Sequence, residues 1–261
     1  SLFPDSWSPL PVRLRLLNIP AALALPLPDG SHALPILDGM WMTLCRRVPG
    51  TPMRSADLIR TPMESGLRIG AALAKLHLAT AALGEDWGDD EPWADHLLNW
   101  ALPRVEGILP EEYLADFRHR VETTRDLPAA LIHRDPNPSN LIDTGDRVGF
   151  INFDLSRRFA RIFDPCYTMT AVLSEVFERE ELPWRENWSS LCEAILAGYD
   201  SVTPLTDAEV EQWIVRTFQS LGKGCSQHVA SVLAFTVGSD WNKGSGYRMA
   251  VSHGDTPGFR V

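Results

Sequence analysis

The segment from residue 129 to residue 153 constrains the fold more than any other part of the chain. Three short apolar runs, AALIH (129–133), NLID (140–143) and VGFINF (148–153), are separated by polar stretches, the second of which is DTGDR. Short apolar runs bounded by turn residues predict strands, and Asp, Thr and Gly favour tight turns. The sequence around this segment has apolar residues at helical spacing. We therefore expect a small β-hairpin set among helices.

Helical patterns flank the hairpin on both sides. The clearest one, at residues 61–83, places apolar residues and His77 near one face: Leu67, Gly70, Leu73, Ala74 and Leu78. The other predicted helices are Trp93–Val105, Glu111–Thr124, Tyr167–Phe177, Trp184–Tyr199 and Thr206–Leu221. Thr206 and Glu209 have the spacing of a capping box.

The two ends of the chain look different from its middle. Seven prolines in the first 35 residues oppose long regular structure there, and the run Met40–Val48 after them is predicted to be a strand. The last stretch, residues 238–261, is rich in glycine and lacks periodicity, so that it is predicted to be loop or tail.

Composition narrows the class of protein. The 261 residues, 44% of them hydrophobic, suffice for one large domain or two smaller ones. The net charge of −10 opposes binding to a nucleic-acid backbone and leaves open a cationic small substrate.

The cysteine pattern and the hydropathy of the chain indicate a cellular compartment. The four cysteines are scattered, with no CxxC pair, which opposes a zinc site or a disulfide framework. The apolar runs are too short or too rich in proline to span a bilayer, and the first residues lack a signal-peptide pattern. We therefore expect a cytoplasmic protein with neither a membrane nor a nucleic acid as partner.

The loop LIHRDPNPSN, residues 131–140, carries the strongest chemical signal. It fits H-R-D-x-x-x-x-N, the catalytic-loop pattern of kinase-type phosphotransferases. In that pattern Asp135 orients an acceptor hydroxyl and takes its proton, and the amide oxygen of Asn140 binds Mg²⁺. Asp154, which follows the third apolar run, would supply a carboxylate to the same ion, since Mg²⁺ prefers oxygen ligands.

Residues 129–177 resemble the aminoglycoside phosphotransferase-like family, the small-molecule relatives of protein kinases. Further similarity extends to roughly residues 35–200. The motifs that carry the resemblance are Leu131–Asp135 with Pro138 and Asn140, Asn152–Asp154, Phe163–Tyr167, the helix GAALAKLH (70–77) and the hinge-like LCRRVPGTP (44–52).

The resemblance implies an α+β, protein-kinase-like fold with a truncated or reduced β-rich N-lobe. It divides the chain into an N-lobe remnant and hinge (1–48), a mostly helical C-lobe with a short β-hairpin (49–237) and a Gly-rich tail (238–261). The resemblance also implies that Asp135 is the catalytic base and that His133 supports the loop. It implies that Asn140 and Asp154 bind magnesium, and that backbone groups of Leu44, Cys45 and Arg46 bind adenine.

The implied activity is transfer of the γ-phosphoryl group of ATP or GTP, with Mg²⁺, to a hydroxyl of a small molecule. Acceptors of this kind are an aminoglycoside or macrolide antibiotic, or a metabolite such as choline or homoserine. Two family positions differ, because Asn152 and Thr168 stand where many members have Asp.

A larger departure concerns the phosphate clamp. The sequence shows no Gly-rich phosphate loop, and its first lysine is Lys75, on the predicted helix. Either the chain is an N-terminally shortened version or the protein does without that clamp. An alternative hypothesis is therefore a non-catalytic kinase-like module that binds nucleotide weakly or binds a partner.

Structural roles also remain open for the residues of interest. His133 could be a buried, hydrogen-bonded histidine, and Asp135 and Asn140 could cap turns in an unrelated helical domain. His77 is expected to be a packing or hydrogen-bonding residue of its helix, with a ligand role as the alternative. Trp184 and Trp188 are expected in the core, with an acceptor pocket as the alternative.

Overall fold

The structure is a computed structural model. It describes Leu14 and residues 18–37, 40–81, 92–107, 110–153, 155–177 and 179–210, with strands at 223–228, 231–236, 248–253 and 256–260.

Helices dominate the middle of the chain, as the sequence predicts. Their bounds are α1 Ser55–Arg60, α2 Pro62–Ala81, α3 Trp93–His96, α4 Leu102–Val105, α5 Glu111–Thr124, α6 Phe163–Val176, α7 Trp184–Asp200 and α8 Asp207–Glu209. A π-helical segment, Leu97–Ala101, joins α3 to α4, so that the predicted helix Trp93–Val105 is continuous. Thr206 and Glu209 form the predicted capping box of α8, and residues 211–221 of the predicted helix lie outside the described residues.

The strands are short. They are β1 Leu23–Ala24, β2 Leu34–Leu37, β3 Met40–Met42, β4 Cys45–Arg46, β5 Thr51–Pro52, β6 Ala129–Ile132, β7 Leu141–Asp143, β8 Val148–Phe150 and β9 Arg157–Ala160, followed by β10 Lys223–His228, β11 Ser231–Thr236, β12 Arg248–His253 and β13 Thr256–Arg260.

The predicted hairpin is confirmed as β7–β8. Leu141 pairs with Phe150 and Asp143 with Val148, and β5 adds a third strand beside β7. Gly145 in the turn has a φ of +93°, a conformation that glycine adopts without steric cost. A separate ladder, β6–β9, runs antiparallel on the other side of the loop 133–140. The loop thus connects two sheets.

The run Met40–Val48 is two strands and not one. β3 pairs with β2, whereas β4 pairs with β1, so that the chain changes partner between Met42 and Cys45. The Leu44 carbonyl accepts a hydrogen bond from the Leu25 amide at this change. Continuous apolar character could not reveal the change, because it depends on which distant strands are nearby.

Helices α2 and α7 cross at very short range. A Cβ atom on Gly70 would lie 1.9 Å from the Ile195 carbonyl oxygen, and one on Gly198 would lie 2.3 Å from the Leu67 carbonyl oxygen. Gly70 is therefore buried by backbone contact. Two of the residues predicted near one face of α2, Leu67 and Leu78, are 42% and 51% exposed.

The buried face of α2 is instead centred on Ile69, Leu73 and Leu76. These residues recur every three to four positions, as the predicted residues do. Helical spacing alone therefore fits both faces. Trp184 is 3% exposed, and the Trp188 indole N–H donates to the Met169 carbonyl, 2.9 Å away. Both tryptophans therefore pack between helices.

The C-terminal strands β10 to β13 form a four-stranded antiparallel sheet in sequence order. The prediction of loop or tail for residues 238–261 is therefore wrong over β12 and β13. Pairing between neighbouring strands supplies the backbone hydrogen bonds that the local sequence pattern did not signal. The division into three regions stays a prediction. Among the described helices, none combines the length and apolar character needed to cross a membrane.

Candidate active site

The loop 133–140 ends in a single 3₁₀ turn, Pro138–Asn140, directly before β7. Asn137 caps this turn, because its side-chain oxygen accepts from the amides of Ser139 and Asn140 at 3.0 and 3.3 Å. Capping by a preceding Asn fixes the direction in which the turn starts. Asn140 is held by the same turn and is 7% exposed.

The carboxylate of Asp135 lies beside this turn. The side-chain amide of Asn137 donates to its Oδ1 at 2.7 Å, and that of Asn140 donates to its Oδ2 at 2.9 Å. Asn140 also donates to the Asp135 carbonyl at 2.9 Å. The structure thus brings Asp135 and Asn140 together, as the motif predicts, and fixes the carboxylate through two neutral donors.

Asn140 has the chemistry that a magnesium ligand needs. Because its NH₂ group points at Asp135, its Oδ1 is turned away, and no donor within the described part of the chain reaches that oxygen. An amide oxygen beside a carboxylate is a hard donor set, which fits Mg²⁺. Asp154, the second predicted ligand, lies outside the described residues.

His133 lies on the buried side of the loop. Its ring is completely buried, its Nε2 lies 2.9 Å from the Ile151 carbonyl, and its Nδ1 lies 3.3 Å from the Asp135 amide. These partners require a neutral ring that donates through Nε2 and accepts through Nδ1. Phe153 packs on the ring with centroids 4.8 Å apart. His133 therefore supports the backbone at Asp135 from below.

Asp164 holds the other side of the loop. Its Oδ2 accepts from the His133 amide and its Oδ1 from the Arg134 amide, both at 2.8 Å. Arg134 has a φ of +69°, the left-handed region that a residue with a side chain seldom occupies. Two hydrogen bonds to a buried carboxylate stabilise this conformation. The sequence marked Asp164 only as part of a motif, without a role.

His77 completes the support of Asp164. Its Nε2 lies 2.9 Å from Asp164 Oδ2, and its Nδ1 lies 2.8 Å from the Tyr199 hydroxyl. Since Nε2 donates to the carboxylate, a neutral ring accepts the Tyr199 hydrogen at Nδ1. The expectation that His77 hydrogen-bonds within the helix packing is confirmed, and α2, α6 and α7 meet at this contact.

Helix α6 supplies two further contacts to the loop. Thr168, at a position where many family members have Asp, donates to the Pro136 carbonyl at 2.8 Å. Tyr167 lies next to Asp135: burial raises the pKa of the Tyr167 hydroxyl far above its usual value, and the negative charge of Asp135 and a hydrogen bond to it raise this pKa further. The phenol therefore stays protonated and donates to Asp135.

The predicted adenine-binding residues lie at the start of β4. Leu44, Cys45 and Arg46 are exposed, and Cys45 and Arg46 pair with β1. The Leu44 carbonyl already accepts one hydrogen bond, from the Leu25 amide at 2.8 Å. Their nucleotide-binding role stays a prediction.

Solved structures share this fold. An amicoumacin kinase in complex with AMP-PNP, Ca²⁺ and Ami superposes with a TM-score of 0.61 and 17% identity, over 80% of this chain and 64% of the other. An aminoglycoside phosphotransferase from Alicyclobacillus acidocaldarius superposes with a TM-score of 0.52 and 18% identity, over 84% and 74%. The predicted protein-kinase-like α+β fold is thereby confirmed.

The relatives found by sequence are also kinases of small molecules. A homoserine kinase of Brucella anthropi is 30% identical over 182 residues, which cover 67% of this chain and 49% of the relative. One of Brucella abortus is 29% identical over 186 residues, or 69% and 50%. The chain thus spans about half the length of these curated relatives. The sequence model of the "Phosphotransferase enzyme family" matches residues 12–211, so that the chain belongs to this family.

Proposed function

We propose that this chain transfers the γ-phosphoryl group of ATP or GTP to a hydroxyl group of a small molecule. One observation carries the proposal: the Asp135 carboxylate, half-buried, is held by Asn137 and by the predicted metal ligand Asn140. A carboxylate held in one orientation can accept the acceptor hydroxyl's hydrogen bond in the geometry required for attack.

Each side chain has a defined task in this reaction. The acceptor oxygen forms a bond to the γ-phosphorus, its proton passes to Asp135, and the bond to the bridging oxygen of the nucleoside diphosphate breaks. Asn140 and Asp154 would hold Mg²⁺, which neutralises charge on the phosphates when bound. Backbone groups of Leu44–Arg46 would contact the base. His133 positions the loop and does not touch the reactants.

The comparisons support the class of acceptor. The sequence relatives named above are homoserine kinases, and the solved neighbours include an aminoglycoside phosphotransferase. Another solved neighbour, at a TM-score of 0.55 and 19% identity, is an aminopropanol kinase. These names favour a small hydroxylated acceptor, with a metabolite and an antibiotic as the two kinds to test.

A second candidate function is a non-catalytic kinase-like module. The sequence has no lysine before Lys75 and no Gly-rich loop. A kinase-like module without these parts would bind nucleotide weakly and transfer nothing. Measurement of Mg²⁺-dependent nucleotide affinity separates the two candidates.

The direct test uses a panel of hydroxylated acceptors with ATP or GTP and Mg²⁺. Asp135→Asn should lower kcat about 10²–10⁴-fold, since it removes the base and keeps the shape. Asp146→Asn, an exposed change in the hairpin turn, is the matched control and should leave kcat unchanged. Transfer that survives Asp135→Asn, or its absence with every acceptor, would refute the proposal.

A further inference from the structure

A cavity of about 380 Å³ opens beside the 3₁₀ turn of the loop. Its walls come from α1 and the two residues before it, from Ser139, and from Glu175 and Arg179 at and after the end of α6. Ser139 directly precedes Asn140, so that the cavity adjoins the turn that carries Asn140, although neither Asp135 nor Asn140 lines it. A volume of this size suits a small-molecule ligand.

The walls of the cavity are held by hydrogen bonds between distant segments. The Met53 amide donates to the Leu141 carbonyl at 2.8 Å, which ties the entry of α1 to the hairpin. The Ser55 hydroxyl, on a residue 3% exposed, donates to Glu175 Oε2 at 2.7 Å and joins α1 to α6. A cavity fixed in this way binds a ligand without first ordering its walls.

One positive charge in the cavity has no partner among the residues that the structure describes. Arg60 pairs with Asp57 at 3.1 Å, and Arg179, also in the wall, pairs with Glu181 at 2.8 Å. For Arg54, no acceptor in the described ranges lies within hydrogen-bonding distance of the guanidinium. An unpaired guanidinium presents parallel donors that match a carboxylate.

The cavity also offers a negative charge. Glu175 uses Oε2 for the Ser55 hydroxyl, while no donor among the described residues reaches its Oε1. Arg54 and Glu175 thus place one available cation and one available carboxylate oxygen around the same space. This charge pattern complements a ligand that carries both an ammonium and a carboxylate group.

We propose that the cavity binds the head group of a small hydroxylated amino acid, with the carboxylate on Arg54 and the ammonium on Glu175. This inference rests on the proposed function, because the hydroxyl of that ligand would be the phosphoryl acceptor. A neutral or purely cationic acceptor would leave the Arg54 guanidinium without a counter-ion in the complex.

Calorimetry with three probes tests the inference. L-Homoserine carries both charged groups, 4-hydroxybutyrate lacks the ammonium, and 3-aminopropan-1-ol lacks the carboxylate. With AMP-PNP and Mg²⁺ present, L-homoserine should bind the wild-type chain at least about tenfold more tightly than either analogue, because each analogue leaves one charge unpaired. Equal affinities for the three probes would overturn the inference, as would displacement of L-homoserine by the nucleotide.

Two variants assign the charges to their partners. Arg54→Gln should abolish the preference over 3-aminopropan-1-ol and keep that over 4-hydroxybutyrate, and Glu175→Gln should do the reverse. Lys75→Gln and Glu193→Gln, exposed changes on α2 and α7, are matched controls and should keep both preferences. If neither cavity variant alters its preference, the ligand binds elsewhere and the inference is wrong.

The same probes separate this inference from the proposed function. Charge-dependent binding of L-homoserine without phosphoryl transfer to any acceptor would refute the proposed function and leave an amino-acid site. Transfer to an acceptor that lacks one of the two charges, unaffected by Arg54→Gln, would refute the inference and leave the proposed function standing.

Discussion

Asp164→Asn tests the claim that the loop 133–140 is held by one buried carboxylate. Asp164 is completely buried and accepts three hydrogen bonds, from the amides of His133 and Arg134 and from His77. The Asn side chain has nearly the same shape but only one acceptor oxygen. It should place that oxygen at the Oδ2 position, where two donors meet, and its NH₂ group then faces the Arg134 amide.

The cost of the substitution has two parts. The bond to the Arg134 amide is lost and a buried donor is left unpaired, which costs about 1–3 kcal/mol. The two remaining bonds change from a charged to a neutral acceptor, at about 1 kcal/mol each. We therefore expect Asp164→Asn to lower the free energy of unfolding by about 3–5 kcal/mol, a large share of the stability of a typical domain. The left-handed conformation at Arg134 loses its support at the same time.

Urea denaturation followed by circular dichroism measures this loss. Asp200→Asn is the matched control, because Asp200 is exposed and accepts one backbone hydrogen bond, from Leu205 at 2.8 Å. That change should cost less than about 1 kcal/mol. A loss below about 1 kcal/mol for Asp164→Asn would show that the loop is held by other contacts, and the reasoning would fail.

Three further predictions concern packing, pH and thiol reactivity. Gly70→Ala should lower the free energy of unfolding by about 1–3 kcal/mol in urea, since its Cβ would meet the Ile195 carbonyl and force the helices apart; unchanged stability would contradict this contact. The Arg68 hydrogen bond lowers the pKa of Asp143 below 3.8 in the folded state, so that the stabilisation is present above pH 3.8 and lost as the pH falls below it. Both side chains are about a third exposed, so that Asp143→Asn should lower the free energy of unfolding by less than about 1 kcal/mol at pH 6. This difference from wild type should shrink as the pH falls toward 3. A difference that grows toward pH 3 would refute the pairing. Burial raises the pKa of the Cys166 thiol to about 12, so that mass spectrometry should find this thiol unmodified by a disulfide reagent at pH 8 until the protein unfolds.

Local sequence patterns were sufficient to predict the secondary-structure elements around the loop 133–140. The hairpin β7–β8 follows from two apolar runs around DTGDR, and α5 begins and ends at the predicted residues Glu111 and Thr124. The contact between Asp135 and Asn140 also follows from the sequence, because the four intervening residues form one capped turn. In each case residues close in the chain determine the structure.

Contacts between distant residues could not be predicted in the same way. Asp164, His77 and Tyr199 belong to three helices, and no local pattern states that they hydrogen-bond to one another. Apolar spacing likewise could not show that Leu67 stays exposed, because the position of α7 decides which face of α2 is covered. The predicted role of Asp154 remains a prediction, since this residue lies outside the described part of the chain.

The support of the candidate base is therefore a property of the helical core and not of the loop alone. Asp164 orients the loop backbone, His77 orients Asp164, and the Tyr199 hydroxyl hydrogen-bonds to the other ring nitrogen of His77. The ring of Tyr199 also lies 5.8 Å from the Arg161 guanidinium, which donates to the buried Glu209 at 2.7 Å. Because each group contacts the next, a shift at Glu209 in α8 reaches the backbone of the loop through five contacts. Substitutions far from Asp135 along this path should therefore change the proposed phosphoryl transfer and stability together, whereas exposed changes outside it should affect neither.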